Sequence, residues 1–200
     1  AEGASVLCVG RTEASLEATV AEVRSAGGTA ELFVADATDE AAVEALGAKP
    51  LQPKLDAIRA VDGKDGMARL MGERNATFGG SFFGHYVGDD QRNPDVYTLY
   101  LSQSGLGLGD RQMYLDEKFA PQRERYVAYI AELLQLAGWD DPQGNAQKIM
   151  AMETQIAEAH WTRAESRDRD KTYNPVKFAE LDTVAPGFPW QTYLAAAEVD

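Results

Sequence analysis

Cysteine is nearly missing. The 200-residue chain has one, Cys8, so no disulfide can form within it, and a zinc site built on thiolates is not available. Cys8 lies among apolar residues in VLCVG and reads as a small core side chain. Histidine is almost as scarce: only His85 and His160 occur, far apart in the sequence. No apolar run approaches the roughly 20 residues that a membrane-crossing helix needs, so no transmembrane segment is expected. The start, AEGASVLCVGRTEAS, lacks the basic n-region and long apolar stretch of a signal peptide. Positive charge is in deficit, 19 Lys and Arg against 32 Asp and Glu, for a net charge of −13. Such a chain repels phosphate backbones, so nucleic acid is not an expected partner. The acidity is spread along the predicted helices, which is the pattern of a solvated surface.

What is present divides into two stretches. Residues 1–46 alternate strand and helix. Ala4 to Val9 is a short apolar run suited to a buried strand and ended by Gly10. Thr12 is placed to cap a helix whose Leu16, Val20 and Val23 recur at helical spacing, and Gly27 and Gly28 close it. Ala30 to Ala35 reads as a second strand, and Asp39 as the cap of a second helix over EAAVEAL. This is a small, incomplete β-α-β-α segment. After Leu46, Lys49, Pro50 and Pro53 break the pattern.

Residues 47–200 are predicted to be mainly helical. Short helices are expected at 51–61 and 64–72. The runs 81–87 and 96–102, rich in Phe, Tyr and Val, flank GDDQRNPD and predict one β-hairpin. Longer helices follow at 118–137, with Tyr126, Val127, Ile130, Leu133, Leu134 and Ala137 apolar, and at 143–161. The second of these carries Ile149, Met152 and Ile156 on one face. A last helix at 189–197 has a stripe of Trp190, Tyr193 and Leu194. The fold class is therefore mainly α with one hairpin.

Residues 3–46, from GASVLCVGRTEAS to FVADATDEAAVEAL, resemble the short-chain dehydrogenase/reductase family. That resemblance implies a site for NADP, with Arg11 at the ribose 2′-phosphate and Asp36 at the adenine. Guanidinium matches phosphate, and a carboxylate at a strand end can accept from an amino group. The family's glycine-rich turn, which would offer a helix N-terminus to the pyrophosphate, does not precede Gly3. A Tyr-x-x-x-Lys spacing occurs at Tyr173 and Lys177, but Pro175 between them opposes a shared helix.

Residues 50–198 resemble the N-terminal half of the neprilysin and endothelin-converting-enzyme family. The marks are FFGHYVGDDQRNPDVYTLYLSQSGLGLGDRQMYL at 82–115, AELLQLAGW at 131–139, ETQIAEAHWTRAESRDRDKTYNP at 153–175 and AELDTVAPGFPW at 179–190. Members of that family usually carry proline where Gly109 stands. The resemblance implies a helical lid region that, in the intact enzyme, encloses a peptide-binding chamber with a catalytic domain. It also implies a periplasmic or secreted setting, peptide substrates and zinc in the full-length enzyme.

The chemistry of that family needs an HExxH helix, with two histidines on one face binding zinc and the glutamate acting as general base. Neither His85 nor His160 lies in such a motif. The expectation is a fragment of a zinc metalloendopeptidase with no catalytic or metal-binding residue of its own and no cofactor in this chain. The alternatives are an NADP-binding remnant using Arg11 and Asp36, or a non-catalytic helical interaction domain.

Smaller motifs have plainer readings. His160, four residues after Ile156, is expected on the apolar face of its helix, and His85 within an aromatic strand. Gly105, Gly107 and Gly109 lack the lysine-serine ending of a phosphate loop and read as a hairpin exit turn. Asp89, Asp90 and Asn93 lack the rest of a calcium loop. SRDRDK at 166–171 mixes both signs and predicts local ion pairs. Asn75-Ala76-Thr77 is a glycosylation triplet.

Overall fold

The computed structural model describes residues 5–36, 38–41, 47–76 and 81–199. Its contacts divide the chain into two compact units, Ala1–Ala60 and Val61–Asp200.

The first unit contains β1 (Ser5–Gly10), α1 (Glu13–Ser25), β2 (Thr29–Val34) and α2 (Gln52–Arg59). β1 and β2 pair in parallel, from Ser5 opposite Thr29 to Gly10 opposite Val34. Parallel neighbours need a crossover, and α1 supplies it. Leu16 and Val20 of α1 are buried with Cys8 and Ala30, and Val23 and Leu32 pack at the edge. The helix ends as its glycines predict. Gly27 takes φ +82, the Gly28 N–H reaches the Val23 carbonyl at 3.0 Å, and the Gly27 N–H reaches that of Arg24 at 3.0 Å. This pair of bonds is the Schellman termination. The Arg24 guanidinium then donates to the Ala30 carbonyl at 3.0 and 2.7 Å, tying the helix end to β2.

Asp39 does accept from the Ala41 N–H at 3.1 Å, as a helix cap would, but most of the helix predicted after it falls outside the described residues. Pro50 and Pro53 end the strand-helix alternation, and the short helix expected at 51–61 forms as α2. Pro50 sits in a 3-10 turn, Lys49–Leu51, and Pro53 in the first turn of α2. In a first turn the missing N–H has no helical partner to lose.

The second unit begins with α3 (Gly63–Ala76), followed by the hairpin β3 (Phe83–Asp89) and β4 (Tyr97–Gln103). The strands are antiparallel, from Phe83 opposite Gln103 to Asp89 opposite Tyr97. Asp90 organises the connecting turn by accepting from the N–H groups of Arg92 at 2.8 Å and Asn93 at 2.9 Å. The Tyr173 hydroxyl donates to the same carboxylate at 3.2 Å, and Arg92 lies over the Tyr173 ring at 4.3 Å. Asp90 is thus consumed by backbone and phenol donors.

The helices α4 (Arg111–Leu115), α5 (Ala120–Leu136), α6 (Pro142–Ala159), α7 (Arg169–Thr172), α8 (Leu181–Val184) and α9 (Trp190–Ala196) complete the unit. Its apolar core joins α3 and α9: Ala68, Met71, Trp190 and Tyr193 are buried, with Phe83 and Phe188 against them. Phe83 meets Phe188 edge-on at 5.3 Å and Tyr193 at 4.9 Å. Edge-on contacts of this kind align the positive rim of one ring with the negative face of another.

Two predicted faces are corrected. On α6 the buried positions are Ala146, Glu153 and Ala157, whereas Met152 is 41% exposed and Ile149 and Ile156 are only half-buried. The helix is rotated so that small residues meet its neighbours and a carboxylate is enclosed. On α5, Ile130 is the buried residue, and Leu133 is 45% exposed.

Candidate functional site

A polar cluster in the second unit lies where the chain leaves β4 and meets α6. Gly105 at φ +85 turns the chain out of the strand. Gly107 then passes so close to α5 that a Cβ on it would collide with the Tyr126 hydroxyl. Gly109 at φ +80 completes the turn, with its N–H on the Leu106 carbonyl at 3.0 Å. Proline, locked near φ −65° and lacking the N–H, cannot hold this conformation, so the local turn here depends on glycine.

Glu153 of α6 sits beneath this loop, 9% exposed. One carboxylate oxygen accepts from the Tyr114 hydroxyl in a short hydrogen bond and from the Gly107 N–H at 3.3 Å. The other accepts from the Tyr126 hydroxyl at 3.0 Å. The Tyr114 oxygen in turn accepts from the Leu108 N–H at 2.9 Å. Burial first, and then Glu153, raise the pKa of both phenols. Tyr126 is pushed up to about 12, and Tyr114 is also well above the ordinary tyrosine value. Both therefore stay protonated and donate. The arrangement stabilises a buried carboxylate with hydroxyl and amide donors, and neither phenol can serve as a base near neutrality.

The rest of the loop is held as firmly. Asp110 caps α4 by accepting from the Gln112 N–H at 2.8 Å, and Arg163 donates to its other oxygen at 2.5 Å. These bonds hold the Asp110 carboxyl below the usual range, the Gln112 contact being the largest cause. Arg111 donates to the Ala157 carbonyl at 3.2 Å. Gln103 and the Trp161 backbone exchange two bonds, at 2.9 and 3.3 Å. An open groove of about 640 Å³ runs beside the cluster, lined in part by Tyr114, Arg123, Val127, Gln147, Met150 and Thr154. Arg123 is engaged there by the carbonyls of Met113 at 3.0 Å and Asp116 at 2.8 Å.

The two histidines have structural partners. His160 forms the C-cap of α6 rather than part of its apolar face, and its Nε2 lies 3.0 Å from the Ser104 carbonyl. His85 Nδ1 is 2.5 Å from the Tyr193 hydroxyl, inside the aromatic cluster. No group of three His, Cys, Asp or Glu side chains able to hold a metal ion occurs among the described residues. The residues described therefore do not fit a zinc site.

Burial lowers the His85 pKa below 6.5. The neutral ring contributes stability that is complete above pH 6.5 and is lost as pH falls through the lowered folded value, because the unfolded chain then binds more protons. Urea unfolding at pH 7.5 and 5.5 is expected to show lower stability at the acidic point, and His85→Gln to flatten that difference. An unchanged pH difference in the variant removes His85 as its source.

In the first unit, the C-terminal ends of β1 and β2 bring Arg11 and Asp36 together at 3.8 Å, with side chains 79% and 40% exposed. Asp36 spends one oxygen on the Thr38 N–H at 2.9 Å and hydroxyl at 2.7 Å, which lowers its pKa. Tyr173 and Lys177 share no helix: Tyr173 ends α7, and Lys177 precedes a separate 3-10 turn.

Comparison with known proteins brings the two stretches under one description. The model of Peptidase family M13 matches residues 11–200. Endothelin-converting enzyme 1 of Cavia porcellus is 29% identical over 192 residues, spanning 90% of this chain and 25% of its own. The Homo sapiens enzyme is also 29% identical, with 24% of its length covered. The crystal structure of the Mycobacterium tuberculosis zinc metalloprotease Zmp1 in complex with inhibitor superposes with a TM-score of 0.74 and 33% identity. It covers 80% of this chain and 25% of that one.

The chain thus spans about a quarter of the curated relatives it matches. The matched span includes residues 11–46, so the dehydrogenase resemblance of residues 3–46 finds no support. A short parallel strand-helix-strand is a pattern that many sequences satisfy, and it does not by itself identify a nucleotide-binding fold.

Proposed function

The chain belongs to peptidase family M13, and on that premise we propose that it is the helical N-terminal region of a zinc-dependent peptidase. In this reading it encloses the chamber in which peptides bind, and the hydrolytic centre is supplied by a part of the enzyme outside these residues. The observation that carries the reading is the likeness to one quarter of a zinc metalloprotease, at 33% identity and a TM-score of 0.74. The local chemistry agrees with it. His85 and His160 hold Tyr193 and the Ser104 carbonyl, and Glu153 holds two phenols and an amide. Side chains committed in this way brace a scaffold; an HExxH centre instead needs two histidines free to coordinate from one helical face.

The test is a quenched fluorogenic peptide incubated with the purified protein and zinc, with and without chelator. No chelator-sensitive turnover is expected, and added zinc is expected to leave the thermal unfolding temperature unmoved. Peptide cleavage abolished by chelator would overturn the assignment of hydrolysis to another part of the enzyme.

A further inference from the structure

We draw no further inference here: the strongest candidate, the exposed apolar stripe of Tyr129, Leu133 and Leu136 along α5, carries none because nothing in the structure shows what covers it.

Discussion

Replacing Glu153 by leucine is expected to destabilise the second unit by about 2–4 kcal/mol, even though it puts an apolar residue at a buried position. Glu153 is the acceptor for Tyr114, Tyr126 and the Gly107 N–H. Leucine removes the acceptor and leaves its donors. A donor stranded away from water costs roughly 1–3 kcal/mol, and the apolar gain of one leucine does not recover two or three of them. For a chain of this size the loss corresponds to a fall of roughly 5–15 °C in unfolding temperature.

Two companion variants separate this account from simple crowding. Glu153→Gln keeps an acceptor oxygen, and the hydroxyls can rotate to accept from its amide, so it is expected to cost less than leucine. The triple variant Glu153→Leu/Tyr114→Phe/Tyr126→Phe removes both phenol donors with the acceptor and is expected to recover part of the loss. A leucine variant as stable as the wild type would show that the cluster contributes nothing. A triple variant less stable than Glu153→Leu alone would show that shape, not unpaired donors, is the cause.

The position of Glu153 also marks where the sequence stops being readable. The mainly helical class and the hairpin are legible because they rest on repeating signals. Phe83 to Val87 and Tyr97 to Leu101 flank a polar turn, and the stripe Trp190, Tyr193, Leu194 repeats at helical spacing. Hydrophobicity is a poor guide on α6, because the buried stripe consists of two alanines and a glutamate. A usable signal did exist: Ala146, Glu153 and Ala157 lie seven and four residues apart, so the carboxylate shares a face with small residues suited to close packing. Charge masked it, since an isolated glutamate in a helix is ordinarily solvated.

His160 departs from its expected helical face for a related reason. Four-residue spacing from Ile156 assumes that the helix continues, but the chain becomes extended at His160, with ψ 143. Arg11 and Asp36 show the converse case. Their proximity at the strand ends follows from the parallel register, yet proximity of two exposed charges carries little energy and no function by itself.

A steric effect against backbone is expected at Gly72 of α3. On helix propensity alone, Gly72→Ala would stabilise by about 1 kcal/mol. The structure reverses the sign. A Cβ at Gly72 would stand 2.5 Å from the Tyr193 carbonyl oxygen, 2.8 Å from the Ala196 Cβ and 2.9 Å from the Ala197 nitrogen. Two of these are backbone atoms, of α9 and of its C-cap residue Ala197, which cannot swing aside as a side-chain end can. The helices must separate, and separation loosens the core of Met71, Trp190 and Tyr193 between them. Overpacking of this kind costs roughly 1–3 kcal/mol after relaxation, and Gly72→Val, with two more methyl groups and a β-branched side chain, is expected to cost more than Gly72→Ala.

The same helix contains its own control. The nearest atoms to a Cβ at Gly66 would be those of the Val61 side chain and backbone, at 3.7 and 3.8 Å, which is ordinary contact. Gly66→Ala is therefore expected to raise stability by about 0.5–1 kcal/mol. Urea unfolding, followed by tryptophan fluorescence, would compare the two. If both alanines stabilise, α3 and α9 are not pressed together at Gly72; if both destabilise, the cause is not the contact with α9. Opposite signs from one substitution at two glycines six residues apart would place the difference in the backbone approach of these helices.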